Sequence, residues 1–257
     1  MLGAIAGDII GSRFEGNPAP PRDFDLFHGD CRFTDDSVCS LAVAEALLAT
    51  EDFASHLRAF VRRHPTRGYG GMFLRWAMID GAPAYGSWGN GAPMRVAAVG
   101  WLASDEEDVR RLAAKQAAVS HDHADAIGGA QAVALAIHLA RRDLGPETLR
   151  IRLAEDFGYD LSPESALVGG RFDVSSAGTV PSAVVAALEA DDWEGAVRTA
   201  VGLGGDTDTL ACIAGAVAEA IHGLPKDIAE AARGYLTEDL LTVLGRFEEA
   251  VAGSGVR

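Results

Sequence analysis

The chain has 257 residues, of which 37 are acidic and 22 basic, for a formal net charge of −15. That balance excludes the basic footprint of a nucleic-acid binder and helps keep a protein dispersed in water, while one local anion pocket remains compatible with it. Cys31, Cys39 and Cys212 lack metal-ligand spacing and read as reduced thiols, not as a disulfide frame.

The stretch from Met1 to Asp8 is apolar without a basic flank, and no later apolar run reaches the roughly 18 residues of a membrane span. The expectation is a cytoplasmic protein with no membrane partner. Apolar residues recur at helical spacing, and clean period-two alternation is absent. The expected fold is all-α, a single domain over residues 1–257 built as a bundle of about a dozen helices.

In chain order the spacing predicts helices near 4–14, 35–49, 52–63, 70–80, 93–103, 105–119 and 124–142. Further ones follow near 146–156, 163–168, 181–189, 192–203, 208–222, 225–234 and 237–252. In the second, Val38, Leu41, Ala42 and Leu48 share a stripe with Val43 and Leu47 beside it, which predicts burial nearly all round. Ser104 and Glu107 have capping-box spacing for 105–119. Pro146, Pro181 and Pro225 are expected in first helical turns. The pieces 84–88 and 171–175 have extended character, without support for a sheet. Two long loops rich in Gly, Pro or Asp, one holding Glu15 and one running from Arg67 to Pro93, are of a length that in compact domains is often functional.

Two acidic clusters open helices far apart in the chain: Thr34-Asp35-Asp36-Ser37 and Asp206-Thr207-Asp208-Thr209. Helix capping alone accounts for the first, with Thr34 as N-cap and the acids facing the helix dipole. The second offers four oxygen-bearing side chains where a cap needs one, after a Gly204-Gly205 pair that permits a tight turn. If the fold joins the two, the carboxylates repel, and a divalent cation held by oxygens, Mg²⁺ or Mn²⁺, relieves the repulsion. Glu15 is a candidate further contributor, or an ordinary loop acid.

Ser87-Trp88-Gly89-Asn90-Gly91-Ala92-Pro93-Met94-Arg95 is the candidate phosphate cradle, small residues before a helix start. It matches no Walker or dinucleotide pattern, and a glycine-rich turn capped by Asn90 is the plain alternative. His121 and His123 have no partners at zinc spacing. A phosphate or ribose contact by His121 and a helix cap by Ser120 or Asp122 are the readings that remain. No Gly-x-Ser-x-Gly nucleophile elbow is present.

In their order, Gly3-Ala4-Ile5-Ala6-Gly7-Asp8, Phe33 to Ser37, Gly89 to Arg95, Ser120 to His123 and Gly204 to Thr209 resemble the ADP-ribosylglycohydrolase family, which includes the dinitrogenase-reductase-activating glycohydrolases. The resemblance spans residues 3 to about 222 and implies an all-α hydrolase with two Mg²⁺ or Mn²⁺ ions, acting on an ADP-ribosylated protein or small ADP-ribose conjugate. It implies Thr34, Asp35, Asp36, Asp206, Asp208 and Thr209 as metal ligands, and Glu15 and Asp36 as the acid or base. It also implies Ser87, Gly89, Asn90 and Gly91 along the diphosphate, His121 near a phosphate or ribose, and Ser176 and Gly178 bordering the adenine side. Ser37 stands where the family segment often has Thr, which keeps a hydroxyl. Arg67 to Ile79 holds no acid, unlike relatives that act on arginine adducts. Other functions fit the same motifs: a non-catalytic ADP-ribose-binding protein, or a metal-dependent phosphohydrolase that releases AMP. In a helical scaffold, the acids would serve only as caps.

Overall fold

The helical spacing resolves, in a computed structural model that describes residues 1–253, into fourteen α-helices. These are α1 (Leu2–Gly11), α2 (Asp35–Ala49), α3 (Phe53–Arg63), α4 (Gly71–Met78), α5 (Ala97–Leu102), α6 (Glu106–Ala118) and α7 (Ala124–Ala140). The rest are α8 (Pro146–Phe157), α9 (Pro163–Ala166), α10 (Ser176–Leu188), α11 (Trp193–Gly202), α12 (Thr207–His222), α13 (Lys226–Arg233) and α14 (Glu238–Gly253). Among the described residues the one β-type pairing is an isolated antiparallel bridge, Gly89 to Ser175, at the edges of the two pieces that read as extended. No helix there is long and apolar enough to cross a membrane.

Three glycines set the centre of the bundle. Gly3, Gly7 and Gly11 recur every four residues and so form one ridge of α1. That ridge lies on Gly215, Ala211 and Thr207, the matching ridge of α12. A Cβ built on Gly7 would stand 2.0 Å from the Ala211 carbonyl oxygen, and one on Gly11 2.3 Å from that of Thr207. The two helices therefore touch backbone to backbone, and every residue of α1 is buried. Helices α7, α10 and α11 pack around α12, while α2 carries α3, α5 and α14 on its outer faces.

Some local expectations are corrected. The first helix ends at Gly11 and not at residue 14, because Ser12 to Gly16 turn out towards the loop. The helix near 93–103 is shortened to Ala97–Leu102, since the preceding residues follow the turns of the glycine-rich loop. Pro181 lies inside α10 and not in its first turn, because Ser175 caps the helix further upstream, accepting from the Gly178 N–H at 3.0 Å. Pro225 stands just before the first turn, as the N-cap of α13. The capping box slides by one residue, with Asp105 accepting from the Asp108 N–H at 2.9 Å and Asp108 accepting from the Ser104 N–H at 3.2 Å.

Candidate active site

The first acidic segment is held from below by Asp8, whose place at the end of the Gly3–Asp8 stretch does not by itself show this role. Asp8 is fully buried in α1, and its carboxylate accepts from the backbone N–H of Thr34 (3.0 Å) and of Ser37 (3.1 Å). It also accepts from the Thr34 hydroxyl (2.6 Å) and from the Ser37 hydroxyl. Thr34 is the N-cap of α2, as its type predicts, and its Oγ1 accepts from the Asp36 N–H. Burial raises Asp8 to about 6, against the lowering pull of these hydrogen bonds.

The second segment is aimed by its glycines. Gly204 and Gly205 have φ of 73° and 79°, a left-handed pair that other residues rarely adopt. Side chains there would also collide: a Cβ on Gly205 would lie 2.1 Å from the Arg171 carbonyl oxygen. The turn is tied to the Glu15 loop by Gly16 N–H to Gly205 O (2.8 Å) and Gly205 N–H to Asn17 O (2.9 Å).

The α1–α12 seam then brings the segments together. Carboxylate oxygens of Asp8, Asp36 and Asp208 all lie within 4.8 Å of one another, as do those of Glu15, Asp206 and Asp208. Asp35 and Thr209 complete one wall of a cavity of about 530 Å³. Burial, then neighbouring negative charge, pushes Asp36 and Asp208 well above the ordinary carboxylate range and Asp35 up to about 8. Burial also raises Asp206, against the hydrogen bond from Asn90, and raises Glu15, with Asp206 adding to it and Arg32 opposing.

Such a cluster fits divalent cations. The Oδ1 atom of Asp36 is buried without any hydrogen-bond partner, which costs free energy unless something positive faces it. The donors around it are oxygens alone, and hard cations of the Mg²⁺ and Mn²⁺ type prefer such sets.

The facing wall is the glycine loop. Ser87, Gly89, Asn90, Gly91 and His121 all line the cavity. Asn90 is committed elsewhere, since its Nδ2 donates to Asp206 Oδ2 (2.6 Å) and to Thr179 Oγ1 (3.0 Å). It therefore ties the loop to the second acidic segment. Ser176 sits behind the loop, donating to the Gly89 carbonyl at 2.9 Å, and is not on the cavity surface. Gly178 lines a separate cavity of about 360 Å³ with Asp173 and Pro181. Thr34 lies behind Asp36, its hydroxyl 3.2 Å from Asp36 Oδ2. His123 is the N-cap of α7, accepting from the Asp125 N–H, while Asp122 accepts from the Gly86 N–H at 2.6 Å.

Apolar side chains complete the cavity. Trp88 and Phe172 line it while 51% and 59% exposed, so two aromatic faces stand open at its rim. Met72, Phe73 and Tyr85 lie along another side. Trp88 is legible inside the glycine motif, and an acid at position 8 in an otherwise apolar buried helix is the signal for Asp8.

The comparisons agree with this architecture. The family model described as ADP-ribosylglycohydrolase matches residues 1–255. The chain is 26% identical to ADP-ribosylhydrolase ARH3 of Homo sapiens, covering 94% of this chain and 90% of that protein. It is 28% identical to ADP-ribosylhydrolase ARH3 of Gallus gallus, with coverage of 87% and 84%. A solved structure titled ADP-ribosylglycohydrolase-related protein complex superposes with a TM-score of 0.74 at 26% identity, over 98% of this chain and 92% of that one. The chain belongs to the ADP-ribosylglycohydrolase family.

Proposed function

We propose that the protein is a divalent-cation-dependent hydrolase that cleaves the glycosidic bond at C1 of the distal ribose in ADP-ribosyl adducts and releases ADP-ribose. One observation carries the reading: the acids of two distant segments converge on one cavity, and Asp36 Oδ1 is left there without a partner. Asp35, Asp36, Asp206, Asp208 and Thr209, with Thr34 behind them, are the residues that would hold the ions. When bound, Mg²⁺ or Mn²⁺ supplies charge neutralisation and a template for the ribose hydroxyls.

The remaining residues divide the substrate among them. The cavity volume is in the range of small-ligand sites. Trp88 and Phe172 offer open aromatic faces for the adenine base. The open face of the Gly89–Gly91 loop and His121 suit the diphosphate, although the N–H groups of Gly89 and Asn90 are already bonded to Ser87 Oγ and Val174 O, and this leaves the distal ribose at the acids. Glu15 is the group we assign to moving the proton, because its side chain is 38% exposed beside Asp206 and its carboxyl is raised. Asp36 is only 1% exposed and better suited to holding charge than to exchanging protons with water. Charge at the anomeric carbon develops next to the carboxylates, as an oxocarbenium-like transition state requires. Gly71, Met72 and Phe73 are the part of α4 that lines the cavity, and the whole helix carries no acid to pair with a guanidinium, which supports a leaving group other than arginine.

An ADP-ribosylated peptide panel, covering serine, arginine and other linkages, tests the reading with Mg²⁺ and with chelator. Free ADP-ribose in the Mg²⁺ arm, lost in Asp208→Ala with its helical circular dichroism intact, is the expected result. Release of AMP would assign the phosphohydrolase reaction instead. Tight ADP-ribose binding with no product from any linkage would leave a binding protein.

A further inference from the structure

Arg95 is completely buried, yet no carboxylate pairs with it among the described residues. Its Nε donates to Gln116 Oε1 (2.7 Å), and its Nη2 to the Gln116 carbonyl (2.8 Å) and to Ser120 Oγ (3.1 Å). The guanidinium lies over the Phe73 ring, and Nη1 is buried without a hydrogen-bond partner. Buried guanidinium groups are ordinarily matched by an acid. This one passes its polarity to a serine hydroxyl.

The hydroxyl of Ser120 is in turn 2.8 Å from Nδ1 of His121. Arginine can only donate, so one lone pair of Ser120 is occupied and its own proton needs an acceptor. Among the described residues that acceptor is Nδ1. A proton on Nδ1 would strand the serine hydrogen in a fully buried place, an arrangement that folded proteins avoid. Burial, with Arg95 adding to it, also lowers His121 to about 3, so the ring is neutral at physiological pH. The single ring proton therefore resides on Nε2.

That nitrogen faces the glycine loop. A Cβ on Gly91 would lie 2.8 Å from Nε2, and one on Gly89 3.8 Å away. Tyr85 and Phe73 hold the ring from the side, with centroids 5.6 and 5.9 Å from its own.

We propose that Arg95 and Ser120 are positioning residues that lock His121 as its neutral Nε2–H tautomer, aimed as a hydrogen-bond donor at a phosphate oxygen seated on the Gly89–Gly91 loop. The identity of the anion rests on the function proposed above; the tautomer does not.

Nitrogen-15 NMR of the intact protein labelled at histidine reads the tautomer without any substrate. Wild type is expected to show His121 protonated at Nε2 and bare at Nδ1. Ser120→Ala is expected to populate the Nδ1–H form, and Ser120→Thr, which keeps the hydroxyl, to restore the wild-type pattern. ADP-ribose titration with Mg²⁺ gives the second readout. Ser120→Ala should weaken binding roughly 10- to 100-fold, the worth of one hydrogen bond to an anion. Gly91→Ala should weaken binding as well while leaving the tautomer unchanged, because the added methyl covers Nε2. A wild-type ring protonated at Nδ1, or an unchanged tautomer in Ser120→Ala, overturns the lock. A shifted tautomer with wild-type ADP-ribose affinity overturns the donor assignment. The expected tautomer in a protein with no affinity for ADP-ribose upholds the lock and refutes the functional reading.

Discussion

Replacing Gly7 by alanine puts one methyl group where two helix backbones meet. The added carbon would stand 2.0 Å from the oxygen and 2.5 Å from the carbon of the Ala211 carbonyl. Neither atom is the end of a flexible side chain, so α1 must back away from α12 by more than about 1 Å to reach ordinary contact. Overpacking of this kind costs about 1–3 kcal/mol, and backbone rigidity argues for the upper end. Better helix propensity returns up to about 1 kcal/mol. The net loss of about 2 kcal/mol should lower the Tm by roughly 4–8 °C in a chain of this size.

The same movement carries Asp8 away from Thr34 and Ser37 and opens the bond from Thr207 Oγ1 to the Gly11 carbonyl, now 2.9 Å. Outer-shell disturbances of this kind cost about 10- to 100-fold in metal affinity. Thermal unfolding and calorimetric Mn²⁺ titration measure both effects. Gly128→Ala is the control, since nothing lies within 4 Å of its added carbon, and its Tm should rise. If Gly7→Ala kept both its Tm and its Mn²⁺ affinity at wild-type values, the seam would not be what joins the two acidic segments.

Three further outcomes follow from the site. Asp8→Asn leaves one acceptor oxygen for donors that now share two, so a Tm loss corresponding to about 2–4 kcal/mol and weaker Mn²⁺ binding are expected; unchanged Mn²⁺ affinity would remove Asp8 from the site's support. For carboxyls held above their usual range, folding favours the protonated form, so metal-free stability is greatest below about pH 4 for these groups and declines as pH rises through about 6 for Asp8 and about 8 for Asp35. Cations reverse the sign, so Mg²⁺ should raise the Tm more at pH 8 than at pH 5.5, and equal increments would refute the linkage. Trp88→Ala should raise KM for an ADP-ribosyl peptide about tenfold with kcat near wild type, because the ring is 51% exposed and has no group that could act on the reacting bond; a fall in kcat alone would contradict an adenine contact.

The legible parts of this protein are those whose signal is local. Thr34 followed by two acids announces both a helix start and a candidate ligand set, and α2 spans the residues that its apolar stripe predicts. Gly204-Gly205 announces a turn, and the turn is there. Pro181 misleads because a proline is the louder signal, while the Ser175 cap that starts α10 is quiet. Ser104 and Asp105 are neighbours that can each cap, and which one does depends on how α6 packs. Ser176 and Gly178, expected to border the adenine side, stand in the first turn of α10, where tertiary pairing turns one under the Gly89 carbonyl and the other into a second cavity. Asp8, Arg95 and Ser120 stand inside stretches that the sequence already singles out, but the partners that give Asp8 and Arg95 their roles are far away in sequence, so those roles are revealed only by the fold. The glycine ridge on α1 is visible as spacing, but its partner on α12 is not.

Anomalous diffraction from crystals soaked in Mn²⁺ tests the shared-cation claim most directly. The account predicts peaks between the two acidic segments, within about 2–2.5 Å of carboxylate oxygens from both Asp36 and Asp208. Peaks bound by only one segment, or none in the cavity at saturating Mn²⁺, would contradict it.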